Sequence, residues 1–140
     1  MTFLSSLAVR QTMLDAMETL IGTGATLEIR SGAQPDDITA ADTGTLLATV
    51  ALPDDWLNDA AASGQDAVKT LLGTWADANG VDADGTAGHY RLKDSLAAVH
   101  FEGSITATGG GGDMTLDNTV LATGQEFSIT NWSVRLNARA

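Results

Sequence analysis

Ala25-Thr26-Leu27-Glu28-Ile29-Arg30 alternates apolar and polar side chains, the period-two pattern of a strand with one face in a core and the other toward water. The segment before it has a different period. Val9, Met13, Ala16, Met17 and Leu20 recur at three- and four-residue spacing, with Leu14 and Ile21 widening the stripe. Arg10, Gln11, Asp15 and Glu18 fall on the other side. This spacing predicts an amphipathic helix of about four turns, because residues three and four apart share a helix face. Ser5 or Ser6 can supply the N-cap hydroxyl, and Gly22 and Gly24 end the helix by accepting the left-handed conformation common at helix C-termini. Such a helix has to lay its apolar stripe on something, either the end of a sheet or a neighbouring subunit. The expected organisation is therefore a helix over residues 1–24 and a β domain over 25–140, folding as one unit.

Strand grammar continues beyond Arg30. Ser31 to Thr43 reads as a polar loop around Pro35, and Thr45 to Leu52 as a strand stopped by Pro53, which has no N–H for a ladder. Asp54 to Asp66, with Trp56, Leu57 and an alanine run, fits a loop or a short helical turn. Ala67 to Trp75, Thr86 to Lys93 and Ala98 to Thr106 read as strands, and Gly109 to Gly112 as a flexible hairpin connection or exposed tip. Asp113 to Leu121 and Glu126 to Leu136 complete the set, the change of parity between Ile129 and Trp132 suggesting a bulge. Short strands with frequent turn signals predict a mainly β domain: an antiparallel, jelly-roll-like β-sandwich of about seven or eight strands behind the helix.

The composition supports a folded domain. Hydrophobic residues are 44% of the 140 and charged residues 18%, the opposite of the balance in disordered chains. Aromatics are only 5%, so Ala, Val, Leu and Ile must build most of the core. The net charge of −11 argues against nucleic acid, whose affinity comes from Lys and Arg neutralising phosphates, and against anionic membranes. An acidic surface also keeps a protein dispersed at high copy number. Without cysteine there is no disulfide or thiolate metal site. No apolar run approaches the roughly 20 residues of a membrane span. Met1 to Met17 lacks a basic n-region and is interrupted by Arg10 and Asp15, so it does not read as a signal peptide.

Motifs that carry chemistry all have plainer readings. His89 and His100 flank the Lys93-Asp94-Ser95 turn, and strand pairing could bring them together, but no third or fourth metal ligand accompanies them. Asp82-Ala83-Asp84-Gly85 resembles the start of a calcium loop, yet the glycine arrives too early and no Glu follows at the right distance. Gly109 to Gly112 leads into Asp113 and a strand, whereas a phosphate cradle leads into a helix with positive potential. No serine sits in a nucleophile elbow, and Asp36-Asp37 and Asp54-Asp55 lie in loops that would not raise a carboxyl pKa. The sequence therefore predicts no catalytic, metal or cofactor site and a protein that is not an enzyme. Trp56, Trp75, Tyr90 and Trp132 admit two readings: a sugar-stacking platform of a carbohydrate-binding module, or packing in a core or between subunits, which is favoured in so aromatic-poor a chain.

Five blocks occur in an order that resembles a family of small structural proteins of tailed phages. They are Leu27 to Pro35 (LEIRSGAQP), Gly44 to Leu52 (GTLLATVAL), His89-Tyr90-Arg91-Leu92, Phe101-Glu102-Gly103-Ser104-Ile105, and Gly112 to Ile129. The resemblance spans most of the chain, and Pro53 to Asp84 departs from it most. It implies a virion protein made in the host cytoplasm, foremost a capsid cement or decoration protein on the outer shell, with a tail or tail-tip protein as the nearest competitor. It further implies the major capsid protein as partner, a homotrimer at local three-fold axes, and no catalytic residues. Contacts are then expected from the helix, the Ser31 to Thr43 loop and one sheet edge, with Leu14, Met17, Pro35, Trp56 and Trp75 as interface residues.

Overall fold

The computed structural model describes residues 3–139; Met1, Thr2 and Ala140, which the expected domain limits include, lie outside the described residues. Helix α1 runs Leu7–Ile21. The Ser6 hydroxyl accepts the Val9 N–H at 3.2 Å, satisfying one of the donors a helix start leaves free, and Gly22 closes the other end at φ 73°.

Eleven strands follow among the described residues: β1 Thr26–Ser31, β2 Leu46–Ala51, β3 Ala61–Ser63, β4 Asp66–Thr70, β5 Trp75–Asp77, β6 Gly85–Lys93, β7 Val99–Ala107, β8 Met114–Leu116, β9 Val120–Leu121, β10 Phe127–Ile129 and β11 Ser133–Leu136. The molecule is mainly β and sandwich-like. Its main sheet has the order β2-β1-β6-β7-β8, with β9 pairing the start of β6. A β10-β5 pair and a β11-β4-β3 sheet complete it, and α1 packs on the latter.

More strands form than expected because three predicted strands each break in two and because Ala61–Ser63, within the stretch expected as a loop or short helical turn, pairs with β4 as β3. Ala67 to Trp75 divides between β4 and β5, Asp113 to Leu121 between β8 and β9, and Glu126 to Leu136 between β10 and β11. The change of parity between Ile129 and Trp132 is not a bulge. It marks a change of sheet, since β10 pairs with β5 and β11 with β4. Trp132 is buried at the crossing. Its indole lies 5.7 Å from that of Trp75, which lies 5.9 Å from Trp56, while Phe101 meets Trp132 edge-on at 6.0 Å. This aromatic row joins Leu27, Ile29, Val50 and Leu92 of the main sheet in one core. The few aromatics are thus concentrated where three sheets converge.

The glycine run does not make a hairpin. β7 and β8 are parallel, although only residues 108–113 lie between them, where a parallel connection ordinarily needs a dozen or more. Gly109 and Gly111 take φ of 88° and 81°, which side-chain-bearing residues rarely adopt, and a Cβ on Gly110 would fall 2.7 Å from the Thr106 side chain. The return is tied by the Gly112 N–H donating to Thr106 Oγ1 at 2.9 Å and the Thr108 N–H donating to the Leu116 carbonyl at 3.0 Å. Gly111→Ala should therefore cost about 1–2 kcal/mol, lowering Tm by roughly 3–10 °C in a thermal melt. An unchanged Tm would show that this return is not fixed by its backbone conformation.

Candidate interaction surface

β6 is buried on both faces. Tyr90 and Leu92 point into the core, while His89, Arg91 and Lys93 point the opposite way and are also buried. What covers them is the loop between β1 and β2. Register places Glu28 of β1, Arg91 of β6 and Glu102 of β7 side by side. Arg91 Nε donates to Glu102 Oε2 at 2.9 Å, and its Nη atoms donate to Asp42 Oδ1 at 2.7 Å and to the Ala40 and Ile38 carbonyls at 3.0 Å. Lys93 Nζ bridges Asp42 at 2.7 Å and Glu28 at 2.9 Å, and Arg30 reaches Glu28 at 2.9 Å and Asp42 at 3.1 Å. His89 Nδ1 is 2.9 Å from the Gly32 carbonyl. The loop is fastened through its backbone by the planar fork of one arginine, a geometry lysine cannot reproduce.

The helix is rotated about its axis from its sequence expectation, covering Leu14 and Ile21 but not Val9, Met13 and Leu20. Part of its polar side faces the protein together with Leu14, Met17 and Ile21. Asp15 accepts from the Ala60 N–H and Lys69 Nζ, both at 2.8 Å. Glu18 Oε1 accepts from the N–H groups of Trp56 and Leu57 at 3.0 and 3.1 Å, and its Oε2 lies 3.2 Å from Lys69 Nζ. Arg10 is buried and donates to the Ser5 and Gln65 carbonyls. The physical reason lies in residues 53–60. That irregular stretch has backbone donors without ladder partners, and buried donors must be satisfied. The helix carboxylates supply the acceptors. Burial alone would lower the Lys69 pKa, but hydrogen bonds and charge from Asp15 and Glu18 outweigh it and hold the ammonium's pKa raised.

Only part of the apolar stripe is then covered. Leu14 and Ile21 are buried and Met17 is half-buried, whereas Val9, Met13 and Leu20 are 50%, 55% and 75% exposed. Phe3 and Leu4, just ahead of the helix, are exposed as well. The other expected interface residues lie inward: Pro35 is buried beneath its loop, and Trp56 and Trp75 have no accessible surface. Those side chains pack inside the protein. The exposed row was visible in the sequence as part of the stripe; what was missing was the demand of residues 53–60 for acceptors.

The histidines and the Asp82–Gly85 turn are engaged in separate local contacts. His89 stands opposite Ser104 rather than His100, which instead lies 2.9 Å from Asp94 Oδ2. Asp84 accepts from the N–H and hydroxyl of Thr123, and these bonds lower its pKa. Among the described residues no group of three His, Asp or Glu could hold a metal ion, and no helix is long and apolar enough to cross a membrane. Five of the seven Lys and Arg form ion pairs and Arg10 is turned inward, which leaves a predominantly acidic exterior. Comparison with protein-family models, curated proteins and solved structures gives no match.

Asp42 gives the loop a pH signature. Burial pushes its pKa up, but hydrogen bonds from Lys93 and Arg91 and the charge of Arg30 prevail and bring it from the ordinary 3.8 down to about 2. A carboxyl depressed in the folded state contributes fully above its unfolded pKa and loses that contribution as pH falls through the folded one. The contribution should vanish between about pH 4 and pH 2. Asp42→Asn should destabilise the protein at pH 6 by on the order of 1–3 kcal/mol, the carboxylate being partly screened by solvent. In urea titrations the gap between variant and parent should shrink as pH approaches 2; a gap that persists there would mean that Asp42 acts through something other than its charge.

Proposed function

We propose that this chain is a structural protein of a tailed-phage particle, foremost a capsid cement protein that binds the outer shell and stabilises the head. The observation that carries the reading is the surface itself. A braced, acidic domain turns its charged helix side inward and presents an uncharged apolar helix face outward. That arrangement suits contact with protein and offers nothing to nucleic acid, whose recognition needs exposed cations.

The position of the resembling blocks supports the reading. LEIRSGAQP forms β1 and the start of its loop, GTLLATVAL forms β2, and His89 to Leu92 lie within β6. Phe101 to Ile105 lie within β7, and Gly112 to Ile129 supply β8, β9 and β10. The blocks thus account for the main sheet, while the departing stretch Pro53 to Asp84 contributes β3, β4 and β5. Burial of Trp56, Trp75, Tyr90 and Trp132 removes the exposed aromatic platform that a sugar-binding module would need.

The test is a reconstruction of the intact particle together with heating of heads that lack the chain. Density on the outer shell and rupture of depleted heads at lower temperature are expected. Density on the tail would move the protein to the tail-associated alternative, and its absence from purified particles would overturn the virion reading.

A further inference from the structure

We infer that Asn79 is a site of spontaneous covalent modification, at which the Gly80 backbone nitrogen closes a succinimide ring and water opens it to aspartate and isoaspartate. The chemistry needs a carboxamide free to turn and a following N–H that can reach it. Asn79-Gly80 supplies both, because glycine has no Cβ to block the approach. The pair lies in the turn that follows β5. Asn79 is exposed and, among the described residues, its carboxamide makes no hydrogen bond; its backbone N–H donates to Asp77 Oδ1 at 3.0 Å. The Gly80 N–H donates to the Asp77 carbonyl at 3.3 Å, just past the usual hydrogen-bond range. Both residues line an open cleft of about 720 Å3, through which water and base reach them.

The step balances with water as its only co-reactant. Base takes the Gly80 N–H proton, the nitrogen attacks Asn79 Cγ, and the Cγ–Nδ2 bond breaks to release ammonia. Water then adds to either ring carbonyl. Opening at one leaves aspartate, and opening at the other leaves isoaspartate, whose main chain runs through the side-chain methylene. The other asparagines lack the combination. Asn58 Nδ2 is tied to Thr70 Oγ1 at 3.1 Å and to the Leu71 carbonyl at 2.9 Å, and Asn118 Oδ1 accepts the Val120 N–H at 3.0 Å. Asn131 precedes the bulky, buried Trp132, and Asn137 precedes Ala138, whose N–H is taken by Asp66 Oδ1 at 2.8 Å. Asp84-Gly85, which could form the same ring, is held by its bonds from Thr123 and by the pairing of Gly85 with Leu121.

Isoaspartate adds a main-chain methylene where the chain has no slack. Val81 is 2% exposed, its N–H donates to the Gln125 carbonyl at 2.9 Å, and its carbonyl accepts the Gly124 N–H at 2.7 Å. Gly80 lies so close to the same segment that a Cβ on it would fall 3.0 Å from the Gln125 carbonyl oxygen. The longer chain must break this pairing or draw Val81 from the core. Aged molecules are therefore more acidic and less firmly packed than fresh ones. The inference does not require the chain to be a virion protein.

Incubation of the full chain for weeks at body temperature, in parallel at mildly acidic and mildly alkaline pH, tests it. Trypsin cleavage of the aged and then unfolded protein after Lys69 and Arg91 yields a peptide from Thr70 to Arg91, in which Asn79 is the only amide side chain. That peptide should gain the mass difference between an amide and an acid and split into two chromatographic peaks of equal mass. Conversion should be faster at the alkaline pH, because base removes the Gly80 proton. Ion exchange should show one added negative charge, and the isolated isoaspartate form should melt below the fresh protein. Asn79→Gln, whose extra methylene disfavours ring closure, should keep the fold at this exposed site and abolish the new species. A peptide that stays intact in the folded chain while the denaturant-unfolded chain converts overturns the inference, since the turn then protects Asn79. New acidic species that form in Asn79→Gln at the parent's rate overturn it as well. An isoaspartate form that melts with the fresh protein overturns the part assigned to Val81.

Discussion

Burying a guanidinium is costly unless each of its donors finds an acceptor and its charge finds a counter-charge. Arg91 meets that condition by drawing in two carboxylates and two backbone carbonyls, and much of the fold follows from it. The carbonyls belong to the long loop between β1 and β2, so satisfying the arginine also fixes the loop. Asp42, at the loop's end, serves Arg91, Lys93 and Arg30 together. With the loop in place β6 is covered on both sides, which is how the central strand of a small sheet can carry His, Arg and Lys on one face. Well-packed apolar side chains of similar volume would stabilise a generic sandwich about as well, since buried ion pairs are weak contributors beside hydrophobic packing. What the cluster provides is a single position for the loop.

The same logic recurs under the helix, with different partners. Here the irregular stretch before β3 brings backbone donors, and Asp15 and Glu18 answer them while holding Lys69. A helix that packed by its most apolar side would have left those donors unmet. Its orientation was decided by hydrogen-bond demand from a segment 40 residues away in sequence, at the expense of keeping Val9, Met13 and Leu20 dry.

This explains what could be read in advance. The alternation of Leu27 to Arg30, the capping of α1 by Ser6 and Gly22, and the mainly β class depend on local pattern, and each is present in the structure. The division of Glu126 to Leu136 between two sheets left a trace in its parity, but parity alone does not separate a bulge from a change of sheet. The parallel return through Gly109 to Gly112 was hidden because short connections so strongly favour hairpins. The helix orientation was hidden because amphipathicity identifies a stripe without saying which molecule covers it. Trp56 and Trp75 lay in the stretch with the weakest pattern, and their burial follows from the meeting of three sheets.

Taken together, the two buried charge clusters set what the exterior can do. Five of the seven Lys and Arg are spent on ion pairs and Arg10 is turned inward, so the carboxylates left outside are an unbalanced majority and copies of the protein repel one another over most of their surface. Val9, Met13 and Leu20 interrupt that exterior with an uncharged apolar row, so the solvent-facing side of α1 differs in kind from the acidic surface around it. The same excess of carboxylates that spaces copies apart keeps a protein of this composition dispersed at high concentration.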